Sequence, residues 1–285
     1  MHRIIFIDSI MRSFFCLFIG LIISLHNLPA QTFEELVLKS YEYADANALF
    51  SAEACLKEAM RLEPTHRLNY TLLFNLGTIQ RRQGKLEDAL LSYSAALNQM
   101  PQNELILINR AELYTKMGEI EKAIGDYNVL ISKYPTHEKG LFNRGLLYIN
   151  TGDYLLAEAD FELIIQTYKD TFLGRFGYAI LEKARGNYDD SEVIFNYLAD
   201  KYPNNIRILE ERAELFFLTT RNGRAISDLN KVFAATPEPS AELLMLRGRI
   251  KLAQSEKESA AIDFKKARDL GYDANTVDRL LKECF

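Results

Sequence analysis

Between Leu141 and Ile165 the chain reads LFNRGLLYINTGDYLLAEADFELII, two apolar runs divided by a polar break. In the first run Leu141, Leu147, Tyr148 and Ile149 mark one helix, with the small Gly145 among them. In the second, Leu155, Ala157, Phe161 and Ile164 mark another, and Gly152-Asp153-Tyr154 separates the two. The pattern predicts a hairpin of two helices, each of about a dozen residues. A hairpin of that size has too little core to stand alone, so it needs neighbours of its own kind.

The chain supplies them. Gly145, Gly152, Ala157, Phe161 and Ile164 recur at steps of 34 residues. One step toward the N-terminus lands on Ala111, Gly118, Ala123, Tyr127 and Leu130, and two steps on Gly77, Gly84, Ala89, Tyr93 and Ala96. Toward the C-terminus the steps land on Ala179, Gly186, Ser191, Phe195 and Leu198, then on Ala213, Thr220, Ala225, Leu229 and Val232. Pro101, Pro135, Pro203 and Pro237 close most units, and Lys169 takes that place once. The small residue of the first helix lets the second approach, and the aromatic fills the space between them. The Gly between helices accepts positive φ, and the Pro cannot continue a helix.

A period of 34 with this pattern resembles the tetratricopeptide repeat, most closely at Leu141-x2-Arg144-Gly145-x2-Tyr148 and Ala157-x3-Phe161. The resemblance implies an all-α chain, a right-handed superhelical solenoid of helix-turn-helix repeats. About seven units are expected: 33–66, 70–103, 104–137, 138–171, 172–205, 206–239 and 241–272. The first lacks a turn Gly and has Ala44–Ala48 in its place; the sixth has Thr220 where the Gly would be. Residues 274–285 form a closing helix, capped by Asn275, with Val277, Leu280, Leu281 and Cys284 on one face and polar residues on the other.

The first thirty residues stand apart. Phe14–Leu25 is an uncharged apolar run preceded by Arg12 and followed by Leu28-Pro29-Ala30. That order describes a signal peptide over residues 1–30, with the expected cut at Ala30–Gln31 and a periplasmic or secreted destination. An uncleaved N-terminal anchor is the alternative. Without the leader, 32 Lys and Arg face 38 Asp and Glu. No basic stripe points to nucleic acid. Cys55 and Cys284 then remain at opposite ends of the array, too far apart to form a disulfide.

Catalytic signals are absent: no HExxH, phosphate-binding GxxxxGK or GxGxxG occurs. His66 and His137 lie in Pro-Thr-His turns two repeats apart, too far to share a metal, and read as exposed turn residues. Neither a cofactor nor a metal is expected. Asn75, Asn109 and Asn143, in contrast, recur two residues before the small residue of three successive first helices, behind Phe74, Ile108 and Phe142. In the family these helices line the concave side, so the resemblance implies a row of asparagines along a groove. A carboxamide offers donor and acceptor together and can pair with a peptide main chain of any sequence. The alternative is that each Asn bonds within its own hairpin. Phe74, Ile108, Phe142 and Phe176 are either groove floor or packing between helices. The expected function is a non-catalytic scaffold in the cell envelope, holding a segment of a protein partner in the groove. The other reading is a structural subunit of an envelope assembly or secretion complex, docking through its convex face or ends.

Overall fold

The computed structural model describes residues 31–285; the leader expected over residues 1–30 lies outside the described residues. Among them every regular element is an α-helix, fifteen in all. They pair as α1 (Phe33–Asp45) with α2 (Leu49–Leu62), α3 (Asn69–Arg82) with α4 (Leu86–Gln99), and α5 (Glu104–Lys116) with α6 (Ile120–Lys133). Next come α7 (Glu138–Thr151) with α8 (Tyr154–Thr167), α9 (Phe172–Arg185) with α10 (Tyr188–Lys201), and α11 (Ile206–Leu218) with α12 (Asn222–Ala235). The hairpin of α13 (Ala241–Ala253) and α14 (Lys257–Asp269) precedes α15 (Ala274–Cys284). Each pair falls within one expected unit, except that α3 starts one residue early, at Asn69. The cap of α15 differs from expectation: Asp273, not Asn275, accepts the Thr276 backbone N–H at 2.8 Å. A carboxylate there also meets the positive end of the helix dipole, and these bonds hold its pKa below the usual value.

The chain divides into two compact units, 31–106 among the described residues and Leu107–Phe285, with the boundary inside α5. In the first unit Leu36, Ala52, Leu56, Leu72, Leu76 and Ile79 make the core. Gly77 lies so close to Tyr93 that a Cβ would sit 2.7 Å from its ring. In the second unit Leu141, Phe161, Ile164, Phe195 and Leu198 belong to one continuous cluster. A Cβ on Gly145 would come within 2.6 Å of the Phe161 ring, and one on Gly177 within 2.4 Å of it. The Phe161 ring therefore fills the space left by glycines of both its own hairpin and the next. Leu155 departs from the expected apolar face of α8, since it is 79% exposed.

Turn chemistry follows the register even where the glycine is missing. Gly84, Gly118, Gly152 and Gly186 all have φ between 79° and 83°. At the equivalent turns Asn47, Thr220 and Ser255 take the left-handed conformation, with φ of 56°, 60° and 66°. For Asn that conformation is common, whereas the β-branched Thr220 is held there by the hairpin around it.

Beside the small-to-aromatic contact runs a second, charged one. Arg110 Nε and Nη2 donate to Asp126 Oδ2 and Oδ1 at 2.8 and 2.7 Å. Arg144 grips Asp160 in the same two-pronged way at 2.9 and 2.6 Å. Arg212 holds Asp228 at 2.7 and 2.9 Å, and Arg247 holds Asp263 at 2.8 and 2.6 Å. Each Asp is buried, and each pair joins the first helix of a hairpin to its second. The bond to Asp126 holds the Arg110 guanidinium above the ordinary arginine value, against the opposing effect of burial. Fork-to-fork pairing fixes rotation as well as distance, so each clamp sets which face its first helix turns outward.

Candidate functional site

Arg110 and Arg144 directly follow Asn109 and Asn143, so the clamps orient the two asparagines expected to bind a partner. In the second unit Asn143 is half-buried, and its Nδ2 donates to the Tyr127 hydroxyl at 3.0 Å. Tyr127 is buried in the preceding hairpin, and burial pushes its phenol pKa up, partly offset by this bond. The amide thus tethers neighbouring hairpins through one N–H. Its carbonyl oxygen has no partner among the described residues. Asn143 lines a cleft of about 240 Å³ together with Glu112, Thr115, Tyr127, Lys139, Leu146 and Leu147. Lys139 and Glu112 neutralise each other there at 2.9 Å. In the first unit Asn75 also donates to a tyrosine of the preceding hairpin, but to Tyr41 on its first helix, at 3.3 Å. Asn109 is half-buried and engaged in an interaction of its own.

The apolar residues behind the asparagines fall mostly elsewhere. Phe142 is 3% exposed and Phe176 1%, and Ile108 is buried too. The Phe142 and Phe176 rings stack with centroids 6.3 Å apart, Phe172 stacks on Phe176 at 5.1 Å, and the Arg207 guanidinium covers both Phe142 and Phe176. These three residues are packing between helices and not the floor of a groove. The large ring needs more apolar cover than a groove wall gives, and the next hairpin supplies it. Phe74 is half-buried, with its ring 5.8 Å from that of Tyr93.

The two histidines are half-buried rather than exposed. His137 caps α7, where its Nδ1 accepts the Gly140 backbone N–H at 2.9 Å. His66 Nδ1 accepts from Leu68 N at 3.3 Å, and its ring lies 4.2 Å from that of Phe33. Cys55 is half-buried and Cys284 buried, both as free thiols, and burial pushes both pKa values up.

A second, larger cleft was not expected from sequence. It measures about 860 Å³ and opens between α11, α13 and α15, bordered by the 236–240 turn. Leu243, Leu246 and Leu280 supply apolar surface, and glutamates from all three helices surround it. Its sequence signal, Glu210-Glu211 and Glu214 on one first helix, was visible but lies where the asparagine row has ended.

Tetratricopeptide-repeat profiles match residues 38–104, 107–137 and 139–171. A tetratricopeptide repeat protein from Parabacteroides merdae ATCC 43184 is similar in structure, with 52% identity over 90% of this chain and 99% of that one and a TM-score of 0.81. The chain belongs to the tetratricopeptide repeat family, and its repeats mark it as a protein–protein interaction scaffold. The type IV pilus biogenesis factor PilW shares the fold at 19% identity, covering 75% of this chain and 96% of its own, with a TM-score of 0.59. Yeast Tom70 does so at 13% identity over 86% and 59%, with a TM-score of 0.60. No curated protein sequence matches the chain.

Proposed function

We propose that this protein is a non-catalytic scaffold of the cell envelope that holds a segment of a protein partner against its first helices. One observation carries the reading: in the second unit first helices contribute to the cleft at Asn143, lined from α5, α6 and α7, and to the larger one lined from α11, α13 and α15, while a third cleft of about 510 Å³ is lined from α12, α13 and α14. The free carbonyl of Asn143 at the first cleft supplies an acceptor for a partner's main-chain N–H. The leader expected over residues 1–30 is the reason for placing the scaffold in the envelope. Affinity capture from envelope extract with the wild-type protein and with Asn109→Ala/Asn143→Ala tests the reading. A partner retained by the first and lost from the folded second is the expected result; equal capture overturns it.

The alternative, a structural subunit of an envelope assembly or secretion complex, draws on a different surface. Leu155, Leu156 and Val193 are exposed on the second helices α8 and α10. Leu155→Glu/Leu156→Glu abolishing the same capture would favour that reading.

A further inference from the structure

Resting on the scaffold reading above, we propose that the cleft between α11, α13 and α15 takes a positively charged, partly apolar peptide segment of the partner. Six carboxylates line it: Glu210, Glu211, Glu214, Glu238, Glu242 and Glu283. Arg249 and Arg279 are the basic residues of the lining. From beneath, Lys183 donates to Glu211 at 2.6 Å and also to Glu214. Six negative groups therefore meet three positive ones.

The surplus is not spread evenly. Lys183 is buried beside Glu211 and Glu214, whose charges hold its ammonium protonated against the cost of burial. Those two carboxylates are occupied. Glu210, Glu238, Glu242 and Glu283 have no ion-pair partner among the described residues. Arg249 is drawn aside, with its guanidinium 4.9 Å from the centre of the Phe217 ring.

Glu210 is the most telling of the four. It is half-buried, and burial pushes its carboxyl pKa up, with the neighbouring Glu211 adding to the effect and Arg207, one turn before it on α11, offsetting only part of it. A carboxylate that loses water with only partial compensation from a counter-charge is costly, and a further cation brought by a ligand offsets that cost. The apolar patches of Leu243, Leu246 and Leu280 lie in the same cleft, so a ligand that carries both charge and apolar side chains satisfies it fully. The cleft at Asn143 shows the contrast: its Glu112 and Lys139 already neutralise each other. Charge selectivity thus belongs to the C-terminal cleft, and main-chain pairing to the one at Asn143.

The test is selection of random displayed peptides of about a dozen residues against the purified protein, followed by titration of the enriched peptides. Peptides rich in Lys or Arg interleaved with apolar residues are expected. Glu210→Gln/Glu242→Gln should weaken them roughly ten- to a hundred-fold and flatten their salt dependence. Asp189→Asn/Asp190→Asn, which removes equal charge from α10 outside the cleft, should leave binding unchanged; equal weakening by that pair would mean unspecific attraction and overturn the inference. Basic peptides indifferent to the glutamine variants would overturn it too. Enrichment of acidic or neutral peptides whose binding needs Asn143 would overturn the charge preference and leave the scaffold reading standing. Enrichment of nothing would remove the scaffold reading and this inference with it.

Discussion

The hairpins of 138–171 and 172–205 are neighbours with one period between them, yet they are locked differently. In the first, Arg144 on α7 forks onto the buried Asp160 on α8. In the second the same two places hold Tyr178 and Ile194. There the Ser191 hydroxyl donates to the Ala179 carbonyl at 2.8 Å, and the Tyr178 hydroxyl turns to Glu158 of the previous hairpin at 3.1 Å. Both hairpins keep the small-to-aromatic contact, Gly145 with Phe161 and Ala179 with Phe195, all buried. The comparison separates what makes a hairpin from what fixes it. Close packing of a small residue against a ring defines the fold, and the ion pair is an optional lock beside it. The first unit offers a third solution: Ser92 donates to Gln80 at 2.7 Å, and Gln80 to Glu53 at 3.4 Å.

The largest effect is expected from leaving half a lock. Arg144→Ala strands Asp160, whose side chain is 6% exposed, and should cost ~3–5 kcal/mol in urea unfolding. Converting both residues to the neighbouring solution, Arg144→Tyr/Asp160→Ile, should recover most of that loss, because a buried pair contributes little over apolar packing. A double variant as unstable as the single one would show that the clamp is itself essential to the hairpin.

Overpacking the shared contact comes next. Ala157→Leu, at a fully buried position in α8, should cost ~1–3 kcal/mol, while Ala241→Leu, half-buried at the start of α13, should cost clearly less. Equal urea midpoints would contradict the register drawn here.

A smaller effect concerns the first unit and pH. Burial works to raise the Glu53 carboxyl, but bonds from Lys57 and Lys85 prevail and hold it at about 2, below its ordinary 4.5. A depressed carboxyl contributes stability that is present above the unfolded value and is lost as pH falls toward the folded one. Thermal unfolding followed from pH 7 downward should therefore show a loss between about 4.5 and 2 that Glu53→Gln diminishes. An unchanged pH profile in the variant would remove Glu53 from the account.

Much of this was legible beforehand because repetition multiplies weak signals. One hairpin pattern proves little, but Gly145 and Phe161 recurring at 34-residue steps marked five of the helix pairs and located the left-handed turns at Gly84, Gly118, Gly152 and Gly186. The same register places Thr220 in that conformation despite its side chain. The Arg–Asp clamps were equally periodic, with each Arg just before the small residue and each Asp just before the aromatic or leucine. They went unread because charged residues in an amphipathic helix are ordinarily taken as its solvent face. The burial of Phe142 and Phe176 was illegible for another reason. A ring's cover comes from the next hairpin and from Arg207, and periodicity within one helix carries no information about that. Asn143 combined both outcomes, since its amide N–H bonds Tyr127 while the residue also lines the cleft.

The central claim, that the first-helix side holds the partner, is tested most directly by titrating the partner captured from envelope extract against three proteins. These are the wild type, the Asn109→Ala/Asn143→Ala variant, and Tyr127→Phe, with circular dichroism on each sample. Each amide that pairs with a main chain should contribute ~0.5–1.5 kcal/mol, so the double variant should bind roughly five- to a hundred-fold more weakly while remaining helical. Tyr127→Phe removes the internal tether of Asn143 but keeps its amide at the cleft, and should bind as the wild type does. Undiminished binding by a folded double variant would contradict the claim.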